Sequence, residues 1–121
     1  MPIVNLWITA LFVFNPLSSP VDNSKQPVDE RIERIIAADR SRSEAECALK
    51  IAWRESRYQL HVRNSTTGAY GAFQLMQVDK RMNLKKQIHR ATKYVEHRYG
   101  GQDRSAAWCK AWLQWQAKGW Y

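Results

Sequence analysis

The chain has 121 residues, a formal net charge of +8 and 45% hydrophobic residues, with six Trp and five Tyr among them. That length holds one domain, and that apolar share excludes a largely disordered chain. The positive charge favours polyanionic partners, and composition alone does not choose among nucleic acid, anionic lipid and an acidic cell wall.

The first twenty residues, MPIVNLWITALFVFNPLSSP, contain no Lys, Arg, Asp or Glu. The apolar run from Ile3 to Phe14 suits the hydrophobic region of an export signal and is short for a bilayer span. No basic residue precedes it and Pro20 follows the small-residue site, so a strand or core-docking helix is the competing reading. The expectation is an exported protein, in the periplasm, cell envelope or outside, with residues 1–20 either cleaved or retained as an anchor. Residues 21–30, VDNSKQPVDE, read as a linker and residues 31–121 as the domain. Ile32, Ile35 and Ile36 predict a first helix from Asp29 to about Ala38. Ser43 with Glu46 three residues on predicts a capping box and a second helix. That helix carries Cys47, Ala48, Ile51, Ala52 and Glu55 and fades near Tyr58.

The stretch RNSTTGAYG, residues 63–71, is rich in turn formers. AFQLMQ after it is apolar and short, a strand or the first turn of a helix. Leu84 to Arg98 predicts a helix with Ile88, Ala91, Tyr94 and Val95 on one side, stopped by Gly100 and Gly101. Ser105 to Ala117 predicts a last helix, in which Trp108, Trp112 and Trp115 recur at core spacing. Their flat faces also suit sugar rings, but at this periodicity a core role is favoured. The fold expected is mainly α, a small monomeric domain of four or five helices. Cys47 and Cys109 are open to two readings, a disulfide of an exported protein or two buried thiols. His61, His89 and His97 fall in no metal-ligand spacing, and no metal or cofactor is expected.

Glu55 is the anomaly. As a helix, ALKIAWRES puts Ala48, Ile51, Ala52 and Glu55 on one apolar stripe, where glutamates rarely lie without a partner. Free glutamate, with a pKa of about 4.3, is almost wholly ionised at pH 7. Placing it against apolar atoms disfavours the charge and raises the pKa, which suits a general acid. The bland alternative is a partly exposed Glu55 paired with Arg54, Arg57 or another nearby base. In the loop that follows, Gly68 and Gly71 permit positive φ and close backbone approach, and the Gln74 amide adds hydrogen-bonding capacity for an uncharged polar ligand such as a sugar. The loop is not a phosphate or dinucleotide fingerprint.

These segments together resemble the SLT-type lytic transglycosylases, which share the lysozyme-like fold with goose-type lysozymes. Glu55-Ser56 at a helix end, followed by GAYGAFQLMQ at residues 68–77, carries the resemblance. QIHRATKYV, residues 87–95, is similar to the family's third helix, with Tyr94 at its usual tyrosine. The ending WCKAWLQWQAKGWY looks like the tail of short phage-type members, and stands where larger members have Tyr-Asn-Ala-Gly. The resemblance covers about Ile32 to Tyr121. It implies cleavage of the β-1,4 bond between N-acetylmuramic acid and N-acetylglucosamine in peptidoglycan. Glu55 would act first as acid and then as base, and the product would be a 1,6-anhydromuramoyl end. Ser56 would bond near the acid or the substrate. Gly68, Tyr70, Gly71 and Gln74 would hold the glycan, and Met76 and Tyr94 would line the cleft. One enzymic carboxylate suffices for this scheme, where ordinary glycosidases use two. No second acid sits within the motifs; the nearest downstream are Asp79, Glu96 and Asp103, and Asp79 keeps a hydrolase (muramidase) outcome open. A non-catalytic wall-binding or virion protein on the same fold is the second class. A nucleic-acid binder, supported by charge alone, is the third and is not expected. The basic run DKRMNLKKQIHR reads as steering toward anionic envelope polymers.

Overall fold

The computed structural model describes residues 26–78 and 81–121, which form four α-helices and no strand longer than an isolated bridge. Helix α1, Val28–Ala37, starts behind Pro27, whose carbonyl accepts from Arg31 N, and carries Asp29 and Glu30 in the first turn where the helix dipole favours them. The stretch assigned to a linker therefore ends in helix. Ile32 and Ile36 are buried on its inner face.

Helix α2, Arg42–Ser56, is capped by Ser41, whose hydroxyl accepts from Glu44 N at 3.2 Å. The expected capping box at Ser43 and Glu46 is thus wrong by two residues, because Glu44 is drawn into the core. Ala45, Ala48, Ile51 and Ala52 are wholly buried. Such small side chains let α2 sit deep in the molecule, packed on α1 on one side and α4 on the other. It ends at Ser56, earlier than Tyr58, because Arg57 and Tyr58 take left-handed φ of 55° and 63°. Helix α3, Leu84–Tyr99, is capped by Asn83, whose side chain accepts from Lys86 N at 2.9 Å. A 3-10 turn, Arg104–Ala106, leads into α4, Ala107–Lys118, which Gly119 closes at φ 82°.

No side chain of its own N-terminus caps α4. Glu44 does so from α2: its two oxygens accept from Trp108 N at 2.8 Å and Cys109 N at 2.9 Å. Buried to 2% exposure, this carboxylate also lies 3.5 Å from Arg40, which in turn bonds Glu96 of α3 and the Arg104 carbonyl. One turn further along α2, Cys47 and Cys109 form the disulfide, with Cα atoms 5.0 Å apart. That settles the open cysteine reading, and closing a loop of this length stabilises by about 4 kcal/mol in the chain-entropy model. Contacts then advance together along both helices, Lys50 over Trp112 and Arg54 over Trp115, so α2 and α4 run in the same direction. Trp108 is fully buried against Phe73, ring centroids 5.2 Å apart, and forms the centre of the core.

Replacing Glu44 with Ala removes both bonds and leaves two buried N–H groups bare, so the loss of stability should be about 3 kcal/mol. Glu44→Gln keeps one acceptor and should lose less. Urea denaturation of the three proteins measures both.

Candidate active site

Between α2 and α3 the described residues form no regular helix or strand, and AFQLMQ is neither of the two forms expected. Tyr70 and Leu75 exchange backbone hydrogen bonds at 2.9 Å around a tight turn, and Arg63 bridges to Tyr70. Asn64 nucleates the preceding turn, its side chain accepting from Thr66 N and Thr67 N. Gln87 of α3, wholly buried, pins the whole segment: its carbonyl oxygen accepts from Ala72 N, and its amide donates to the Leu60 and Met82 carbonyls. Nothing in the helical periodicity of α3 marked this glutamine as the loop's anchor.

This arrangement gives several expected site residues a different task. Gly71, at φ 87°, is needed because a Cβ there would lie 2.3 Å from the Gln87 side-chain oxygen; the close approach is to protein, not to a ligand. Its N–H donates to Val62 and its carbonyl accepts from Gln74, so its polar groups are already engaged. Gly68, at φ 80°, turns the chain in open space. Tyr70 is buried at 3% exposure with its hydroxyl 2.5 Å from His61 Nδ1, and it does not line the cleft. Ser56 is buried too, and its hydroxyl lies 3.0 Å from the Ala52 carbonyl and 2.8 Å from the Ala72 carbonyl. It therefore ties the loop to the end of α2 and does not meet the acid.

The remaining expectations converge. Glu55, Gln74, Met76 and Tyr94 line one cleft of about 490 Å³, together with Leu75, Arg90, Lys93, Trp120 and Tyr121. Gln74 is held by its amide donating to Gly71 and Val62, at φ 51°, so its backbone is fixed before any ligand arrives. Met76 stands exposed at the rim, and Tyr94 donates to the Tyr121 carbonyl at 2.8 Å. Tyr121 folds back across the cleft, its ring edge-on to Tyr94 and its hydroxyl donating to the Phe73 carbonyl. Burial, and then the nearby charge of Glu55, push the Tyr121 phenol well above its ordinary pKa, so it remains a donor.

Glu55 is half-buried and forms no ion pair with any described residue. Arg54 lies over the Trp115 ring and Arg57 over Trp53, so the bland alternative of a local pair is not what forms. Its polar partner is the indole N–H of Trp115, donating to Oε2 at 2.7 Å. Burial raises the carboxyl above the ordinary glutamate value, and the Trp115 bond opposes that shift without cancelling it. Trp115 had been assigned to the core; it is half-buried and touches the acid, while only Trp108 of the three is fully enclosed. No local signal reveals this, since the two residues are 60 apart in sequence. Arg90 enters the sequence reading only as part of the basic run and Trp120-Tyr121 only as part of the Trp-rich ending, with no place at the cleft for either or for Lys93.

Among the described residues lining the cleft, Glu55 is the one with a carboxylate side chain. Asp79 and the segment 1–20 lie outside the described residues. Among the described residues no three His, Cys, Asp or Glu side chains gather where a metal could sit. A larger cavity of about 600 Å³ lies between α1 and α3, lined in part by Lys85 and His89 of the basic run and by Ile36 and Ile88. It also holds Lys93, which it shares with the cleft, and Glu96, which is paired with Arg40. The chain matches no protein-family model, no curated protein and no solved structure.

Two expectations follow. Gly71→Ala should cost more stability than Gly68→Ala. Both share the positive-φ penalty of about 1 kcal/mol, and only the first also collides with Gln87. Urea melts of both variants check the order. The second concerns pH. The native state holds the Glu55 proton more tightly than the unfolded chain, so its contribution to stability is most favourable at low pH and falls as pH rises through the raised pKa. Glu55→Gln stays neutral and its oxygen still accepts from Trp115. Thermal melts should match the wild type near about pH 3.5 and exceed it near about pH 7.5.

Proposed function

We propose that this protein is a peptidoglycan lytic transglycosylase of the SLT type, cleaving the MurNAc-β-1,4-GlcNAc bond. The observation that carries the reading is a lone carboxylate, with its pKa raised by burial, in a cleft whose other described walls are amide, aromatic, thioether and cationic side chains. Such a group keeps its proton to higher pH than an ordinary glutamate, as a general acid requires, and the absence of a second acidic side chain among the described cleft residues fits a scheme that needs only one.

In that scheme Glu55 protonates the glycosidic oxygen as the C1–O bond breaks, the bonding pair staying on the leaving oxygen. The substrate's own N-acetyl group stabilises the electron-poor C1. Glu55, now a carboxylate, removes the proton of the muramoyl C6 hydroxyl, whose oxygen closes on C1 to give the 1,6-anhydro product. Gln74 offers its side-chain carbonyl to the sugar, and Met76 and Tyr94 give apolar contact along the strand. Arg90 and Lys93 raise the local concentration of an anionic wall polymer at the cleft. The protein acts as a monomer on glycan strands outside the cytoplasm, without a cofactor and without nucleic acid.

Mass spectrometry of purified peptidoglycan treated with wild type and with Glu55→Gln tests this. The wild type should release anhydromuropeptides, and the variant at least about 100-fold less. Reducing muropeptides from the wild type would mean a hydrolase and direct attention to Asp79. Binding to the wall with no soluble product from either protein would leave a non-catalytic wall-binding protein.

A further inference from the structure

The transglycosylase reading requires a carboxylic acid that gives up its proton and later takes another, but it does not say which of the two oxygens does so. The geometry around Glu55 does. The indole N–H is a donor and never an acceptor. It donates to Oε2 at 2.7 Å, while Oε1 has no hydrogen-bond partner among the described residues and is not among the enclosed, unpartnered atoms. In the neutral acid the carbonyl oxygen is the stronger acceptor, so the indole N–H favours Oε2 as the carbonyl and the hydroxyl on Oε1.

The indole is itself fixed. Its ring stacks on Trp112 with centroids 6.0 Å apart and planes 20° from parallel, and the Arg54 guanidinium carbon lies over the same ring, 5.2 Å from its centroid. The Trp115 carbonyl accepts from Gly119 N at 2.7 Å, in the turn that ends α4. The donor thus stays in place whether Glu55 is charged or neutral.

We infer that Trp115 is the positioning residue of the acid: its N–H holds Oε2 in both protonation states and reserves Oε1 as the one oxygen that carries, delivers and recovers the proton. The role rests on the proposed function for its catalytic meaning, and on the structure alone for its effect on the carboxyl group. The other charged or titratable groups around the cleft are Arg54 on α2, Arg90, Lys93 and Tyr94 on α3, and Tyr121 from the tail. None of them hydrogen-bonds Glu55.

The test is a carbon-13 titration of Glu55 in the full chain, for wild type, Trp115→Phe, and the protein with 3-benzothienylalanine at position 115. That last residue keeps the size and stacking of the indole but has sulfur in place of N–H. Loss of the donor removes the one influence that lowers the Glu55 pKa, so it should titrate at higher pH in both variants. With soluble glycan fragments, kcat should fall about 10-fold or more at little change in KM. The basic limb of the pH profile should move up in step with the titration. An unchanged titration in the benzothienyl protein overturns the inference even if Trp115→Phe fails to fold, and so does a moved titration with unchanged kcat. The carboxyl titration needs no substrate, so it stands apart from failure of the transglycosylase reading. That reading fails instead if the wild type releases no anhydro product.

Discussion

Everything in this molecule is arranged around one pair of helices held in parallel by acids of α2. Parallel packing brings like ends of two helix dipoles together, which is unfavourable. Glu44 offsets it by placing a negative charge on the bare N–H groups of α4, and the disulfide one turn away keeps the two starts in register. About three turns along the same face of α2, Glu55 meets α4 again through Trp115. The first glutamate acts as a cap and the second is aimed at a cleft, although both began as acidic residues on one buried stripe.

That difference comes from the number of donors each carboxylate meets. Glu44 receives two backbone N–H groups and has Arg40 nearby, so its charge is fully answered. Glu55 receives a single indole N–H and only partial exposure to water, which leaves the ionised form under-compensated. A carboxylate provided with fewer donors than its charge calls for is the physical means by which an ordinary residue keeps its proton to higher pH, as a general acid requires.

The helical architecture was legible in the sequence because apolar periodicity is local: Ile32 and Ile36, Ala48 and Ile51, Ala91 and Val95 all lie inward as their spacing requires. Glu55 and Gln74 follow from the residues themselves and Met76 and Tyr94 from the family resemblance, and the four share one cleft. What escaped was non-local. Glu44 sits on the same stripe as Glu55, yet its partner is 64 residues away, and a capping box two residues off looked sufficient. Gly71 signalled close approach correctly, but a sequence does not say whether a ligand or Gln87 makes it. Tyr70 and Ser56 enter the expected site through the family resemblance, whereas burial turns both inward to hold the loop.

The two pins on α4 also set which parts of the chain tolerate changes of length. Cys109 is fixed by its bond to Cys47, and Trp115 by its bond to Glu55. An insertion or deletion between them would turn the indole by about 100° about the helix axis and carry its N–H away from the acid. The interval from Cys109 to Trp115 therefore acts as a ruler whose length cannot drift. The exposed turn around Ser65 and Thr66, closed on itself by Asn64, bears on no such distance. Length variation among natural or engineered forms of this domain should therefore collect in that turn and spare α4.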